Sequence, residues 1–189
     1  MKKEKLKKIL NSDDVIKSIK NNLDELLKAI PEIKDMIGFK HKNPAHHLDV
    51  WNHTLLALYK SPNNFKIRLV LLLHDIGKPH SYQDLEVRHF KGHEEKSYQM
   101  SLDILKRLNF DKKFIEETSY LIRYHDTPIS DELINTNIEL AQELFIIQYC
   151  DAMAHNPEKL EKRKQYLIEL LNKINDDCEL VEYQKKLRC

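Results

Sequence analysis

An all-α fold is what this sequence predicts, and two observations carry the prediction. Only three glycines, Gly38, Gly77 and Gly92, fall within 189 residues, and apolar residues recur at spacings of three and four without β-branched alternation. A chain of this length buries a core without disulfide or metal staples, so a metal found in it would serve chemistry.

Helices over about residues 3–11 and 13–29 rest on those spacings, and the charged start Met1-Lys2-Lys3-Glu4-Lys5 leads into an amphipathic pattern rather than a signal sequence. Pro31, Gly38 and Pro44 leave about 31–46 irregular. A helix over about 47–60 carries His53 beside Val50 and Ala57, with Asp49 one turn earlier. The run from Ile67 to Leu73 marks a buried helix over about 64–75, which ends abruptly in His74-Asp75 with Gly77 and Pro79 behind it. A second irregular stretch, about 76–92, follows; long connections of this kind are uncommon in helical domains unless they have a function. Helices over about 93–108, 111–125, 132–155 and 157–186 complete the chain. The charged stretch from Asn156 to Cys189 reads as a surface helix or a partner-binding arm.

Hydrophobic residues make up 41% and charged residues 32%, a globular balance, and no apolar run approaches the ~18 residues that a membrane span needs. A net charge of +1 supplies no global field for DNA or RNA, so anion binding must come from a local cluster. Cys150, Cys178 and Cys189 form no CxxC pair and leave an odd thiol, which fits a reducing, cytoplasmic setting and excludes a thiolate zinc site.

Chemistry is signalled where polar groups replace apolar ones on helix faces. Asp151 continues the face Leu140, Leu144, Ile147; His125 continues Phe114, Thr118, Leu121; His93 opens the face Ser97, Met100, Ile104. His53 and the His74-Asp75 pair add two more such sites. One histidine on an apolar face is ordinarily a hydrogen-bonded core residue, but five anomalies on five helices fit a metal site built between facing helices. An uncompensated buried charge costs several kcal/mol, so such groups pair, hydrogen-bond or bind metal. Imidazole and carboxylate without thiolate suit Mn, Fe, Ni, Mg or Zn for hydrolysis.

The pattern His53, then His74-Asp75-Ile76-Gly77-Lys78 after a buried helix, then Asp151 on a late helix resembles the signature of the HD superfamily of metal-dependent phosphohydrolases. The stretches from His46 to Thr54 and from His89 to Glu94 are similar to the HD domain of bacterial CCA-adding tRNA nucleotidyltransferases. The likeness covers about residues 40–155 of what is expected to be a single HD domain over 1–189. No strand-rich segment with paired catalytic aspartates lies ahead of it, so nucleotide addition is not expected.

The resemblance implies that His53, His74, Asp75 and Asp151 hold a first divalent metal, with Asp75 catalytic and able to bridge to a second ion near His93 and His125. Lys78, inside the motif, is expected to hold the substrate phosphate, with Arg88 and Lys91 as further substrate-binding candidates and Lys40, His41 and Lys42 behind them. Asp126 reads as a proton acceptor, a partner of a ligand or a helix-end residue, and Asp49 as a residue that could orient His53. The implied activity is hydrolysis of a phosphomonoester or phosphodiester of a nucleotide or RNA end. Two alternatives stand beside it: a non-catalytic nucleotide- or RNA-binding module, and a di-iron oxygenase.

Overall fold

The structure, a computed structural model, describes residues 3–174 and 180–188. The described residues are helical, with no strand among them and two isolated bridges, Lys40 with Asp49 and Gln83 with His89. Helices α1 (Lys3–Leu10), α2 (Val15–Asn21), α3 (Leu23–Ala29) and the single turn α4 (Ile33–Met36) form the N-terminal flank. The centre comprises α5 (Val50–Lys60), α6 (Phe65–Leu73), α7 (His93–Arg107), α8 (Lys112–Arg123) and α10 (Ile138–Ala152), with short α9 (Asp131–Thr136) ahead of α10. Helices α11 (Glu161–Ile174) and α12 (Val181–Arg188) close the chain. None of the helices is long and apolar enough to cross a membrane.

Boundaries depart from the sequence expectation in a consistent way. The segments 13–29 and 132–155 are each two helices, broken at Asn22 and Asn137. Asn137 accepts from the Leu140 amide through its side chain and donates its own N–H to Leu133, so one asparagine ends α9 and caps α10. At Asn22 the side-chain amide bonds the Ser18 carbonyl instead of continuing the helix. The last expected helix contains a 3-10 turn at Pro157–Lys159 before α11; its residues 175–179, with Cys178, and the terminal Cys189 lie outside the described residues.

The centre is organised around α6. Every residue from Ile67 to Leu73 is buried, packed by α1, α5, α8 and α10. Each buried Leu, Ile or Val contributes about 1.5–3 kcal/mol, so this helix alone offsets the several kcal/mol that desolvating His74 and Asp75 at its end costs. The one charge within the buried run from Ile67 to Leu73, Arg68, bonds the carbonyls of Leu10 and Ser12 and the side chains of Ser61 and Asn63, and so ties α1 to the α5–α6 turn.

After α6 the chain turns through His74-Asp75-Ile76-Gly77 into a 3-10 turn at Lys78–His80. Gly77 is required here by close approach. A Cβ on it would stand 2.5 Å from the Ser97 amide nitrogen and 2.7 Å from the His93 carbonyl oxygen, both main-chain atoms of α7. The Gly77 N–H donates to Ser97 Oγ at 2.9 Å, locking the turn onto the first turns of that helix.

Candidate metal centre

Five elements meet at Asp75. His53 comes from the middle of α5, His74 and Asp75 from the turn after α6, His93 from the first residue of α7, His125 from just past α8, and Asp151 from the last turn of α10. His53, His74 and Asp75 have no solvent exposure, His125 has 2%, Asp151 4% and His93 6%.

Each of the four imidazoles is held by the same device. His53 Nδ1 donates to Ala154 O at 3.1 Å, His74 Nδ1 to Leu71 O at 2.7 Å, His93 Nδ1 to Phe90 O at 2.9 Å and His125 Nδ1 to Ile122 O at 2.7 Å. A carbonyl only accepts, so a hydrogen resides on each Nδ1 and every Nε2 faces inward, where a neutral ring presents its lone pair. Three of these bonds reach the carbonyl three residues back, folding the ring over its own chain.

The inward atoms are therefore almost all acceptors. His53 Nε2 lies 2.8 Å from Asp151 Oδ1, and His74 Nε2 lies 3.5 Å from that oxygen and 3.3 Å from Asp75 Oδ2. On the other side of the carboxylate, Asp75 Oδ1 lies 3.5 Å from His93 Nε2 and 3.8 Å from His125 Nε2, which are 3.3 Å apart. His74 Nε2 and Asp75 Oδ1 are buried with no hydrogen-bond partner. Buried acceptors that converge in this way favour a cation between them; the Lys78 ammonium already lies on Asp75 Oδ2, and the donor set fits a divalent metal in either of two positions, one per oxygen of Asp75.

Electrostatics make the same demand. Burial favours protonated carboxyls, yet His74 and Lys78 hold Asp75, and His155, His53 and His74 hold Asp151, well below the usual carboxylate range. Burial also resists charge on His74, but Asp75 and Asp151 outweigh it and raise the ring to about 10. Its proton occupies the place of a metal's charge. Burial, with His74 and His93 adding to it, lowers His125 to about 4, and burial lowers His53 against the pull of Asp151.

The other sequence candidates are placed differently. Lys78 is buried, with Nζ 2.7 Å from Asp75 Oδ2 and 3.4 Å from His41 Nε2, so it is paired with the carboxylate rather than extended toward solvent. Arg88 bonds Asp84 at 2.8 Å and the Lys40 carbonyl at 2.7 Å, and its guanidinium covers the rings of Phe39 and Tyr82. It clamps the 76–92 loop. Lys91 is exposed, and Lys42 pairs with Asp84. Asp49 does not touch the His53 ring; it caps α5 by accepting from the main chain and side chain of Asn52, and the Ala154 carbonyl orients His53 instead.

Three neighbours of the site were not singled out as site residues from sequence. His155 lies 3.5 Å from Asp151 Oδ1, His46 rests against it with ring centroids 4.3 Å apart, and Arg163 Nη1 lies 3.5 Å from Asp151 Oδ2. His155 follows Asp151 by four, so extending the face Leu144, Ile147, Asp151 by one turn finds it. Arg163 sits in a charged stretch that carries no such signal.

Comparison with known proteins places this geometry. The chain is 33% identical over 113 residues to a CC-adding tRNA nucleotidyltransferase of Thermus thermophilus, covering 54% of this chain and 25% of that protein. It is 27% identical over 168 residues to an A-adding tRNA nucleotidyltransferase of Deinococcus radiodurans, covering 80% of this chain and 38% of that protein. A multifunctional CCA protein of Dechloromonas aromatica is 27% identical over 104 residues, covering 53% of this chain and 25% of that protein. The chain thus spans well under half the length of these relatives. The HD domain family model matches residues 45–179, a span that runs from the His46 loop through all six converging residues, and the chain belongs to the HD domain family.

Proposed function

We propose that the chain is a metal-dependent phosphohydrolase acting on a phosphomonoester or phosphodiester of a nucleotide or RNA end. The observation that carries this reading is the division of Asp75, whose oxygens face two separate sets of inward-turned imidazoles, one of them joined by Asp151. His53, His74, Asp75 and Asp151 would hold a first divalent ion, and His93, His125 and Asp75 a second. Such ions supply a Lewis acid for phosphoryl oxygens and lower the pKa of a water toward neutrality. The protein's share is placement. The main-chain carbonyls fix each ring, and the apolar body of α6 excludes water from behind His74 and Asp75. Lys78 offsets the charge of Asp75, and its neighbour His41 is kept neutral by burial and by the Lys78 ammonium, which lower it to about 3.

Nucleotide or RNA-end substrates are supported by the relatives, which are named as tRNA nucleotidyltransferases. We read residues 1–189 as one domain, with the terminal helices packed on the matched region.

A second reading, a nucleotide- or RNA-binding module without turnover, is favoured by one observation. The Lys78 ammonium already lies on Asp75 Oδ2, an oxygen that the first ion needs. A panel of nucleotide phosphomonoesters and 2',3'-cyclic phosphates, assayed with Mn, Fe, Ni, Mg and Zn, separates the two. Hydrolysis that requires an added ion is expected; metal taken up with no turnover of any ester would establish the module. Tightly bound di-iron that oxidises an organic substrate would replace both readings with an oxygenase.

A further inference from the structure

We infer that Arg163 is the phosphate-binding cation of this site, with His155 beneath its guanidinium and His46 beside them, taking the phosphate dianion of an ester or free inorganic phosphate. The inference rests on the phosphohydrolase reading for its biological sense, while the binding it describes is measurable without turnover.

The basic residues of the 76–92 loop leave this role open. Lys78 is on Asp75, Arg88 is on Asp84 and the Lys40 carbonyl, and Lys91 projects into solvent. Arg163 is placed differently. Its Nη1 lies 3.5 Å from Asp151 Oδ2, and its Nη2 bonds Asp126 Oδ1. Asp151 belongs to the first set of ligands, and Asp126 directly follows His125 of the second. The guanidinium therefore joins a residue of the first set to the residue that follows His125 of the second.

Arg163 Nη1 is 3.1 Å and 3.0 Å from the two ring nitrogens of His155. Equal distances to both nitrogens place Nη1 over the face of the ring rather than in a hydrogen bond to either. That contact anchors Nη1, while Nη2 is held by the partly exposed Asp126, whose place an anion can take. Next to His155, His46 Nδ1 is buried without a hydrogen-bond partner, a polar atom that a phosphate oxygen or hydroxyl would satisfy.

Asp126 is the internal stand-in for the substrate anion. The pair is partly open, with 30% of the Arg163 and 37% of the Asp126 side chain exposed, so it contributes little and yields readily. A phosphate dianion accepts two parallel N–H bonds from the fork and carries more charge than the carboxylate it displaces. A cation on Asp151 also weakens the hold of that carboxylate on Nη1. Arg163 and Asp126 together line a cavity of about 180 Å³ with Thr127, Pro128, Gln148 and Tyr166. That volume is below the several hundred Å³ usual for a drug-sized ligand, and suits a group of sugar size attached to the phosphate.

The test uses the full chain loaded with Mn²⁺ and titrated with inorganic phosphate in a calorimeter, with bound metal measured on each variant. Arg163→Ala is expected to weaken phosphate binding by roughly 10- to 100-fold with metal content unchanged. Arg163→Lys should restore part of the loss and, with its circular dichroism, exclude misfolding as the cause. Asp126→Asn should tighten binding by removing the competitor. Lys162→Ala, which removes one charge from the same helix at an exposed position, should change nothing. The inference is overturned if the wild type binds no phosphate, if Arg163→Ala binds it within twofold of wild type, if Lys162→Ala loses as much, or if Arg163→Ala loses its metal. Arg163-dependent phosphate binding with no hydrolysis of any ester would keep the subsite and sink the hydrolase.

Discussion

The two sides of Asp75 differ in charge, although both are built from histidines turned the same way. The Oδ2 side holds a second carboxylate, Asp151, a raised His74 and the Lys78 ammonium. The Oδ1 side holds His93 and His125 around the one oxygen of Asp75 without a hydrogen-bond partner, and Glu94 lies 3.4 Å from His93 on its Nδ1 rather than its inward Nε2. Once an ion displaces the His74 proton and the Lys78 ammonium, two carboxylates and two imidazoles attract it more strongly than one carboxylate shared with two imidazoles. The first position is therefore expected to fill tightly and the second to fill at higher metal concentration, with Asp75 common to both.

The sharpest way to break that comparison is to remove what the two sides share. Asp75→Ala should lower hydrolysis on the order of a thousandfold or more and deplete both positions, while the chain still folds around its apolar centre. Metal content and turnover measured on one preparation check this, and full retention of either contradicts the shared role. Single-side variants come next. His53→Ala should empty the first position and lose about as much activity as Asp75→Ala. His93→Ala should keep tight binding of about one ion and lose only the weaker one, with a rate loss on the order of a hundredfold. Equal metal loss in both variants would show that the sides are not independent.

The smallest expected effect is in pH. In the metal-free chain burial holds His41 at about 3 and His125 at about 4, below the ~6.5 of an unfolded histidine. Between those values the unfolded chain binds more protons than the folded one, so stability is lost as pH falls from about 6.5 toward 4. The slope is up to about 1.4 kcal/mol per pH unit for each such histidine. His74, held at about 10, acts in the opposite sense: its contribution is complete below about 6.5 and is lost as pH rises toward 10. Denaturant titrations across pH 4–10, with and without metal, should show a maximum near neutrality that metal, by displacing the His74 proton, broadens on the alkaline side. A metal-free stability that stays flat down to pH 4 would contradict the buried, neutral state of His41 and His125.

Much of this arrangement was legible in the sequence because its signal is local. Apolar periodicity located the helices, and a carboxylate or imidazole on an apolar face is visible without coordinates, as at Asp151, His125 and His93. The breaks at Asn22 and Asn137 were hidden, because one asparagine costs a helix little compared with an apolar stripe that continues on both sides of it. The assignment of the basic residues was the weakest part. Lys78 and Arg88 look free in a loop rich in histidine and lysine, and only the folded arrangement shows Asp75 and Asp84 beside them. Arg163 has the opposite history: within a run of surface charges it looks like solvent-facing decoration, and its place follows from how α11 crosses the end of α10.

The bond from His53 to the Ala154 carbonyl joins residues 101 apart in the chain. Closing so long a loop is among the last entropic costs met in folding, because it brings no reward until the intervening helices have docked. The unfolded chain therefore holds no preformed nest for a cation, and a metal cannot template this site as it does in a zinc finger, whose ligands lie close in sequence. Metal instead binds the finished native state and stabilises it by mass action, so the melting temperature should climb with the logarithm of free ion concentration, while the folding rate is set by the polypeptide alone.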